Sequence, residues 1–270
     1  MHLDLHLHTS CSDGALTPEG VVAAACRAGL DAIAVTDHDT TAGVGRAQAA
    51  VEGDRLLVIA GIELSCVLDD AELHLLGYGV DPEDAGLLAI ARRRASARRE
   101  RVAAIVERLN ALGVGITVSD VRVPEDNASV GRPHVAEALV RLGRVRNAQE
   151  AFARYLSDRG PAFVPSRGVG VAEGIAAVAA AGGVSVWAHP AVEDARSFPA
   201  LRRMGLDGVE ALRPSLAPVV SSALDVAARE AGLLVTGGSD WHGGNPPLGS
   251  WYVTDKHVRP LLDRLGIEVN

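Results

Sequence analysis

Over the first eight residues of the chain polar and apolar side chains alternate strictly: His2, Asp4, His6 and His8 interleave with Met1, Leu3, Leu5 and Leu7. A period of two puts successive side chains on opposite faces of a strand, so the leucines pack one way while His6 and His8 point the other. Short apolar runs that end in polar or glycine residues recur at 31–38, 56–64, 73–79, 184–190, 208–212 and 233–240, and each predicts a strand. Alanine-rich segments of helical length lie between most of them, at 18–28, 171–181, 193–204 and 217–231. Thr17 caps the first of these, Pro18 and Glu19 suit its first turn, and Gly29 closes it. Strands alternating with helices predict a mainly parallel α/β sheet, open or closed into a barrel.

The rhythm fails between residues 81 and 160, where Asp81-Pro82 opens a long arginine-rich helical stretch with no strand before Phe163. This predicts an inserted helical subdomain at 81–160, interrupting a main unit made of 1–80 and 161–270. In RRRASARRERVAAIVERL (92–109) Val102, Ala103, Ile105, Val106 and Leu109 recur at helical spacing, while the arginines gather toward one end and read first as a solvated face and second as a substrate contact.

Composition narrows the function classes. With 48% hydrophobic residues in 270, a large core is available. A formal net charge of -8 gives no support to stable duplex nucleic acid binding through bulk positive charge. Cys11, Cys26 and Cys66 form no CxxC pair, so neither a disulfide framework nor a thiolate zinc site is expected, and a reducing cytoplasm fits. No basic leader with an apolar run and no stretch of about 20 apolar residues is present, so a membrane partner is not expected. Nothing points to an obligate protein partner.

Nearly every predicted strand ends in a potential metal ligand. Asp37, His38 and Asp39 follow the second, Glu63 lies in the third, His189 precedes Pro190, and Asp240 and His242 follow the last. In parallel α/β architectures the carboxyl ends of strands share one face, so these side chains are expected to meet. His74 begins its run instead. If Asp69-Asp70 is a two-residue turn, 63–68 and 71–76 pair as a hairpin with Ser65 opposite His74, which puts His74 on the face of Glu63. The candidate ligands are then His6, His8, Asp13, His38, Glu63, His74, His189, Asp240 and His242. One metal with open positions needs about three or four protein ligands, so this set implies two or three divalent ions. Nitrogen and oxygen donors without thiolate suit Mn, Fe(II) or Zn. Lys256, the only lysine, lies beyond the last ligand, which excludes a binuclear hydrolase bridged by a carbamylated mid-barrel lysine.

The segments DLHLHTSCSDG, AVTDHDT, GIELS, HLLGYG, GRPH, WAHP and GSDWHG resemble, in order, the motif series of the PHP (polymerase and histidinol phosphatase) family of metal-dependent phosphoesterases, from residue 3 to about residue 249. The resemblance implies a distorted (β/α)7 barrel with metals at the carboxyl ends of its strands. It implies that His6, His8, Glu63 and Asp240 hold a first metal, that Glu63 bridges to a second completed by His74 and His189, and that Asp13, His38 and His242 hold a third. It also implies phosphate ester hydrolysis by in-line attack of a metal-bridging hydroxide.

Within GRPHVAEALVRLG (131–143), Pro133 suits a first helical turn, and Arg132 and His134 beside it read as a phosphate clamp at a helix N-terminus. An insertion carrying RPH is similar to the branch of the family that includes nucleoside 3',5'-bisphosphate phosphatases and 5'-to-3' oligoribonucleases. That branch leads one to expect an aromatic residue and histidines in GVEALRPSLAP (208–218), where Leu212, Arg213 and Leu216 stand instead. Arg213 reads equally as a compensating anion contact and as a sign of another phosphorylated substrate. Asp37 and Asp39 are expected to orient a metal-bound histidine or to protonate the leaving oxygen. His2 and Asp4 are expected below the metals, and His257 at the surface. The activity expected is hydrolysis of the 3'-phosphate of nucleoside 3',5'-bisphosphates, extending to short 5'-phosphorylated oligonucleotides. The alternatives are a histidinol-phosphate phosphatase or other small-molecule phosphomonoesterase, and a non-catalytic metal-binding regulatory or polymerase-associated module.

Overall fold

The alternation at the N-terminus forms strand β1 (His2–Leu7), whose Leu3 and Leu5 join an apolar cluster with Val258, Leu261 and Leu262. Asp4 and His6, on its other face, are also fully buried, so the strand is enclosed on both sides. The structure, a computed structural model, describes residues 1–53, 55–69, 71–123 and 129–268. Helix α1 (Pro18–Ala28) starts where its cap predicts: Thr17 Oγ1 accepts from the Gly20 N–H at 3.2 Å, and Gly29 ends the helix in the left-handed region at φ 72°. Strand β2 (Ala32–Val35), helix α2 (Ala42–Ala49) and strand β3 (Leu57–Leu68) follow, with β1, β2 and β3 parallel.

Strand β4 (Ala71–Tyr78) turns back antiparallel on β3 with Ser65 paired to His74, the register the turn residues predict. Of that turn, Asp69 has φ 48°, and Asp70 lies outside the described residues. Helices α3 (Ala85–Ala111), α4 (Arg132–Arg141) and α5 (Ala148–Ala151) come next, with no strand among the described residues of 81–160. Strand β5 (Val169–Gly170) then pairs with β3. Helix α6 (Val171–Ala180), strand β6 (Val184–Trp187), helix α7 (Phe198–Arg203), strand β7 (Gly208–Leu212), helix α8 (Pro218–Glu230) and strand β8 (Leu234–Gly237) complete the alternation. Strand β9 (Val253–Thr254) borders β1, and helix α9 (Asp255–Arg264) ends the chain's regular structure.

The sheet runs β8-β7-β6-β4-β3-β2-β1-β9. It nearly closes where the segment after β8 meets β1: the His8 N–H donates to Trp241 O at 3.1 Å, and the Ser239 N–H donates to Asp4 Oδ1 at 2.8 Å. Gly238 permits this approach, since a Cβ there would lie 2.2 Å from His6 Cβ. The result is a distorted (β/α)7 barrel in which β4 alone of the main strands runs against its neighbours.

In the inserted segment Val102, Ile105 and Leu109 of α3 pack on Val135 and Leu139 of α4 in a core separate from those of the barrel. The arginines of α3 are not uniformly solvated. Arg94 and Arg98 are buried, because the helix face toward the barrel meets the buried carboxylate of Asp39. Arg98 donates through Nε to Asp39 Oδ2 at 2.6 Å and through Nη2 to Ser65 Oγ at 2.7 Å, while Arg94 donates to the Arg167 carbonyl. His2 also departs from expectation. It lies exposed at the start of β1, its ring 4.1 Å from that of Tyr252, whereas Asp4 is buried and His257 is exposed as expected.

Candidate metal centre

Glu63, fully buried on β3, stands at the centre of the histidines. Its Oε2 lies 3.4 Å from His6 Nε2, 3.2 Å from His8 Nε2 and 2.9 Å from His38 Nδ1. Its Oε1 lies 2.9 Å from His74 Nδ1 and 3.2 Å from His189 Nε2. The hairpin register is what allows this, because it puts His74 on the same face as Glu63. Asp240 Oδ1 lies 3.3 Å from His6 Nε2 and 3.2 Å from His8 Nε2, and Asp13 Oδ1 lies 3.3 Å from His242 Nε2.

All nine candidate ligands therefore meet at one end of the barrel. Three groups have ligand atoms within 4.8 Å of one another: His6, His8, Glu63 and Asp240; His8, Asp13, His38 and His242; and His38, Glu63 and His74. The first group coincides with the set expected around one ion. In the others His8 and His38 are each shared between neighbours, and His189 Nε2 stands 3.2 Å from His74 Nδ1. The backbone is strained at this end. Among the described residues four non-glycines have positive φ, and besides Asp69 they are Asp39, His189 and Asp240, at 52°, 37° and 56°. Such conformations cost about 1–3 kcal/mol each and persist only where surrounding contacts fix them.

The electrostatics of the cluster fit divalent cations. His6 Nε2, His8 Nε2, His38 Nδ1, Glu63 Oε2 and Asp13 Oδ1 are all buried without a hydrogen-bond partner, and all belong to this cluster. Each orphaned group costs about 1–3 kcal/mol unless something satisfies it, and a cation held among these nitrogens and oxygens would. Burial lowers the proton affinity of His8 and His74, but the surrounding carboxylates outweigh it: Asp240, Glu63 and Asp13 push His8 up to about 10, and Glu63 and Glu72 push His74 up to about 9. Burial wins at His38, which is lowered despite Glu63 and Asp13. Burial also opposes ionisation of Glu63, and the imidazoles of His38, His6 and His74 override it and hold the carboxyl well below its ordinary range. The same balance lowers Asp13 and Asp240. Metal binding would displace the imidazole protons from such a site.

Glu210 on β7 joins the site although nothing in GVEAL distinguishes it from an ordinary strand residue. Its Oε1 lies 3.0 Å from His6 Nδ1, and its Oε2 accepts from the His189 N–H at 2.9 Å. A carboxylate on the far nitrogen of a ligand histidine fixes the ring and its tautomer. The only hint in the sequence is that a buried acid in an apolar strand demands a partner.

Neither Asp37 nor Asp39 touches a candidate ligand histidine directly, although Ser12 Oγ, which donates to Asp37, lies 3.4 Å from His8 Nδ1. Asp37 accepts from the Thr9 N–H and hydroxyl, both at 2.7 Å, and from Ser12 Oγ at 2.6 Å, so it fixes the loop after β1. Asp39 is occupied by Ser65 and Arg98. His134 is similarly committed: Nδ1 accepts from the Gly131 N–H at 3.1 Å and Nε2 lies 3.0 Å from Ser12 O, leaving neither nitrogen for a phosphate. Arg132 pairs with Asp158 at 2.6 Å and lies 5.5 Å from the Phe163 ring centroid. Its charge reaches Glu72, the carboxylate beside His74. Arg213 donates to the Pro190 carbonyl at 3.0 Å, next to His189, and its buried Nε has no hydrogen-bond partner.

A barrel whose strand ends gather imidazoles and carboxylates around one buried glutamate defines a metal-dependent hydrolase. The chain belongs to the PHP domain family, whose model matches residues 4–111. It is 31% identical over 249 residues to the 5'-3' exoribonuclease Rnm of Salmonella typhimurium, covering 88% of this chain and 84% of that protein. It is 29% identical over 248 residues to the 3',5'-nucleoside bisphosphate phosphatase of Chromobacterium violaceum, covering 89% and 87%. A solved metal-dependent phosphoesterase structure from Bifidobacterium adolescentis superposes with a TM-score of 0.88 at 37% identity, covering 97% of this chain and 96% of that one. The protein is a metal-dependent phosphoesterase. No helix among its described residues is long and apolar enough to cross a membrane.

Proposed function

We propose that the chain removes the 3'-phosphate from nucleoside 3',5'-bisphosphates and, by the same chemistry, acts on short 5'-phosphorylated oligonucleotides. In this reading His6, His8, Glu63 and Asp240 hold one divalent ion, Glu63, His74 and His189 a second, and Asp13, His38 and His242 a third, with Mn, Fe or Zn as the candidates. Such ions activate water and neutralise charge on phosphoryl oxygens.

The observation that carries the reading is the uneven exposure of the cluster. The side chains of His6, His8 and Glu63 are sealed, whereas those of His189, His242 and Asp240 are 33%, 35% and 39% exposed. A phosphoryl group enters across that rim, where Arg213 stands beside His189. Arg213, half-buried, then offers its guanidinium to an oxygen of the substrate. Arg132, on the inserted segment, supplies the second phosphate contact. Residues 81–160 act as a substrate-binding subdomain on the barrel formed by 1–80 and 161–270. We place the reaction in the cytoplasm, where Cys11, Cys26 and Cys66 stay reduced.

The test is phosphate release from a nucleoside 3',5'-bisphosphate, histidinol phosphate and a short 5'-phosphorylated RNA, each with added Mn. The bisphosphate is expected to give the highest kcat/KM. A higher value for histidinol phosphate, or no release from the bisphosphate, overturns the assignment.

A further inference from the structure

His8 belongs to two of the three groups that could hold an ion: one with His6, Glu63 and Asp240, the other with Asp13, His38 and His242. A neutral imidazole offers one free nitrogen, because the other carries the ring proton. Which ion His8 serves is therefore decided by which of its nitrogens is protonated. That choice is made by the group that sits against the ring edge away from the ion.

Ser12, on the loop after β1, supplies that group. Its Oγ lies 3.4 Å from His8 Nδ1 and donates to Asp37 Oδ1 at 2.6 Å. A hydroxyl has one proton and a carboxylate can only accept, so the proton of Ser12 is spent on Asp37 and its lone pairs are left for His8. Nδ1 then carries the ring proton. The free lone pair falls on Nε2, which is buried without a hydrogen-bond partner, 3.2 Å from both Glu63 Oε2 and Asp240 Oδ1. Asp13 Oδ1, the other group near His8 Nδ1, stands farther off at 3.7 Å and faces His242 Nε2 at 3.3 Å.

The hydroxyl is held on both sides. Ser12, Asp37 and His8 are all buried. Asp37 also accepts from the N–H and hydroxyl of Thr9, both at 2.7 Å, which ties it to the loop that carries Ser12. The inserted segment reaches the same loop from the opposite side. His134 Nδ1 accepts from the Gly131 N–H at 3.1 Å, so its proton lies on Nε2, which donates to the Ser12 carbonyl at 3.0 Å. We propose that Ser12 is a positioning residue that commits His8, through Nε2, to the ion shared with His6, Glu63 and Asp240, and that His134 holds Ser12 in place from the inserted segment. The proposal rests on reading the cluster as a metal centre and names what decides how one of its ligands is used.

The test reads the metal centre and needs no substrate. In the zinc-loaded protein with isotope-labelled histidine, nitrogen NMR should show a proton on His8 Nδ1 and a metal-shifted Nε2. Ser12→Ala should weaken one bound equivalent about 10- to 100-fold in a chelator competition and leave the others near wild-type affinity. Ser12→Thr, which keeps the hydroxyl, should restore most of that loss, and His134→Ala should weaken the same equivalent by a smaller factor. Zinc on His8 Nδ1, unchanged affinity in Ser12→Ala, or equal weakening of every equivalent overturns the proposal. If Ser12→Ala does not fold, the ring nitrogens of the wild-type protein still decide. The expected His8 tautomer in a protein that releases no phosphate from a bisphosphate would support the role of Ser12 and reject the proposed reaction. A wild-type protein that binds no zinc would reject the metal reading and this proposal with it.

Discussion

Glu210 and His6 face each other across 3.0 Å in the barrel interior, both side chains fully buried, although 204 positions separate them in the chain. Through its other oxygen the same carboxylate holds the backbone of His189, so one residue positions two candidate ligands. Removing such a support costs about 10- to 100-fold in metal affinity. Glu210→Ala is expected to show that loss in a chelator competition, and Glu210→Gln a smaller one, because the amide oxygen can still accept one of the two bonds. Wild-type affinity in Glu210→Ala would contradict the positioning role.

Glu63 is the contact shared by five imidazoles, so its loss should exceed the loss of any outer support. Glu63→Ala is expected to lower phosphate release more than a hundredfold. His6→Ala should do likewise. The measurement is initial rate at saturating metal, with a circular dichroism melt to show that the variants fold. A variant that folds and keeps a tenth of the activity would contradict the bridging role.

Asp39 joins the inserted helix to the barrel, and its carboxyl shows how. Burial pushes its pKa up, but Arg98 and Arg94 outweigh burial and hold it below the ordinary value. A carboxyl with a depressed folded pKa contributes stability above its unfolded pKa, about 3.9, and loses that contribution as pH falls through the folded value. Asp39→Asn leaves buried guanidinium charge uncompensated and should cost about 3–5 kcal/mol near neutral pH. In urea unfolding the gap between wild type and variant should be full at about pH 7 and shrink below about pH 4. A gap that does not change with pH would show that the ion pair is not its source.

The two residues flanking Pro133 should behave differently. Arg132→Ala should raise KM for a bisphosphate by about tenfold or more, and for a monophosphate far less, as expected for loss of a charge-assisted phosphate contact. His134 is spent on Gly131 and Ser12, so His134→Ala should lower stability by about 1–3 kcal/mol without discriminating between the two substrates. Equal KM changes in Arg132→Ala would remove Arg132 from the substrate site.

What the chain reveals before folding is local. The alternation of HLDLHLH, the cap at Thr17 and the Asp69-Asp70 spacing all report on neighbours in sequence, and β1, α1 and the Ser65–His74 register follow from them. The convergence of His6, His38, Glu63 and Asp240 was legible too, because the strand ends of an α/β barrel share one face. Partners chosen by tertiary packing were not legible. Glu210 reads as a stray acid until β7 is placed beside β6, and Arg94 and Arg98 read as surface charge until Asp39 is placed beneath them. Asp37 and Asp39 flank the candidate ligand His38 in sequence, but their hydrogen-bond partners in Ser12 and Ser65 come from other segments.

The central claim is that the clustered imidazoles and carboxylates hold the metals on which phosphate ester hydrolysis depends. The direct measurement pairs metal analysis with phosphate release on the same protein, stripped with chelator and then reloaded with Mn. The account predicts two to three bound equivalents per chain, no release from a nucleoside 3',5'-bisphosphate when stripped, and recovery in step with reloading. Less than one equivalent bound, or undiminished release from the stripped protein, would contradict it.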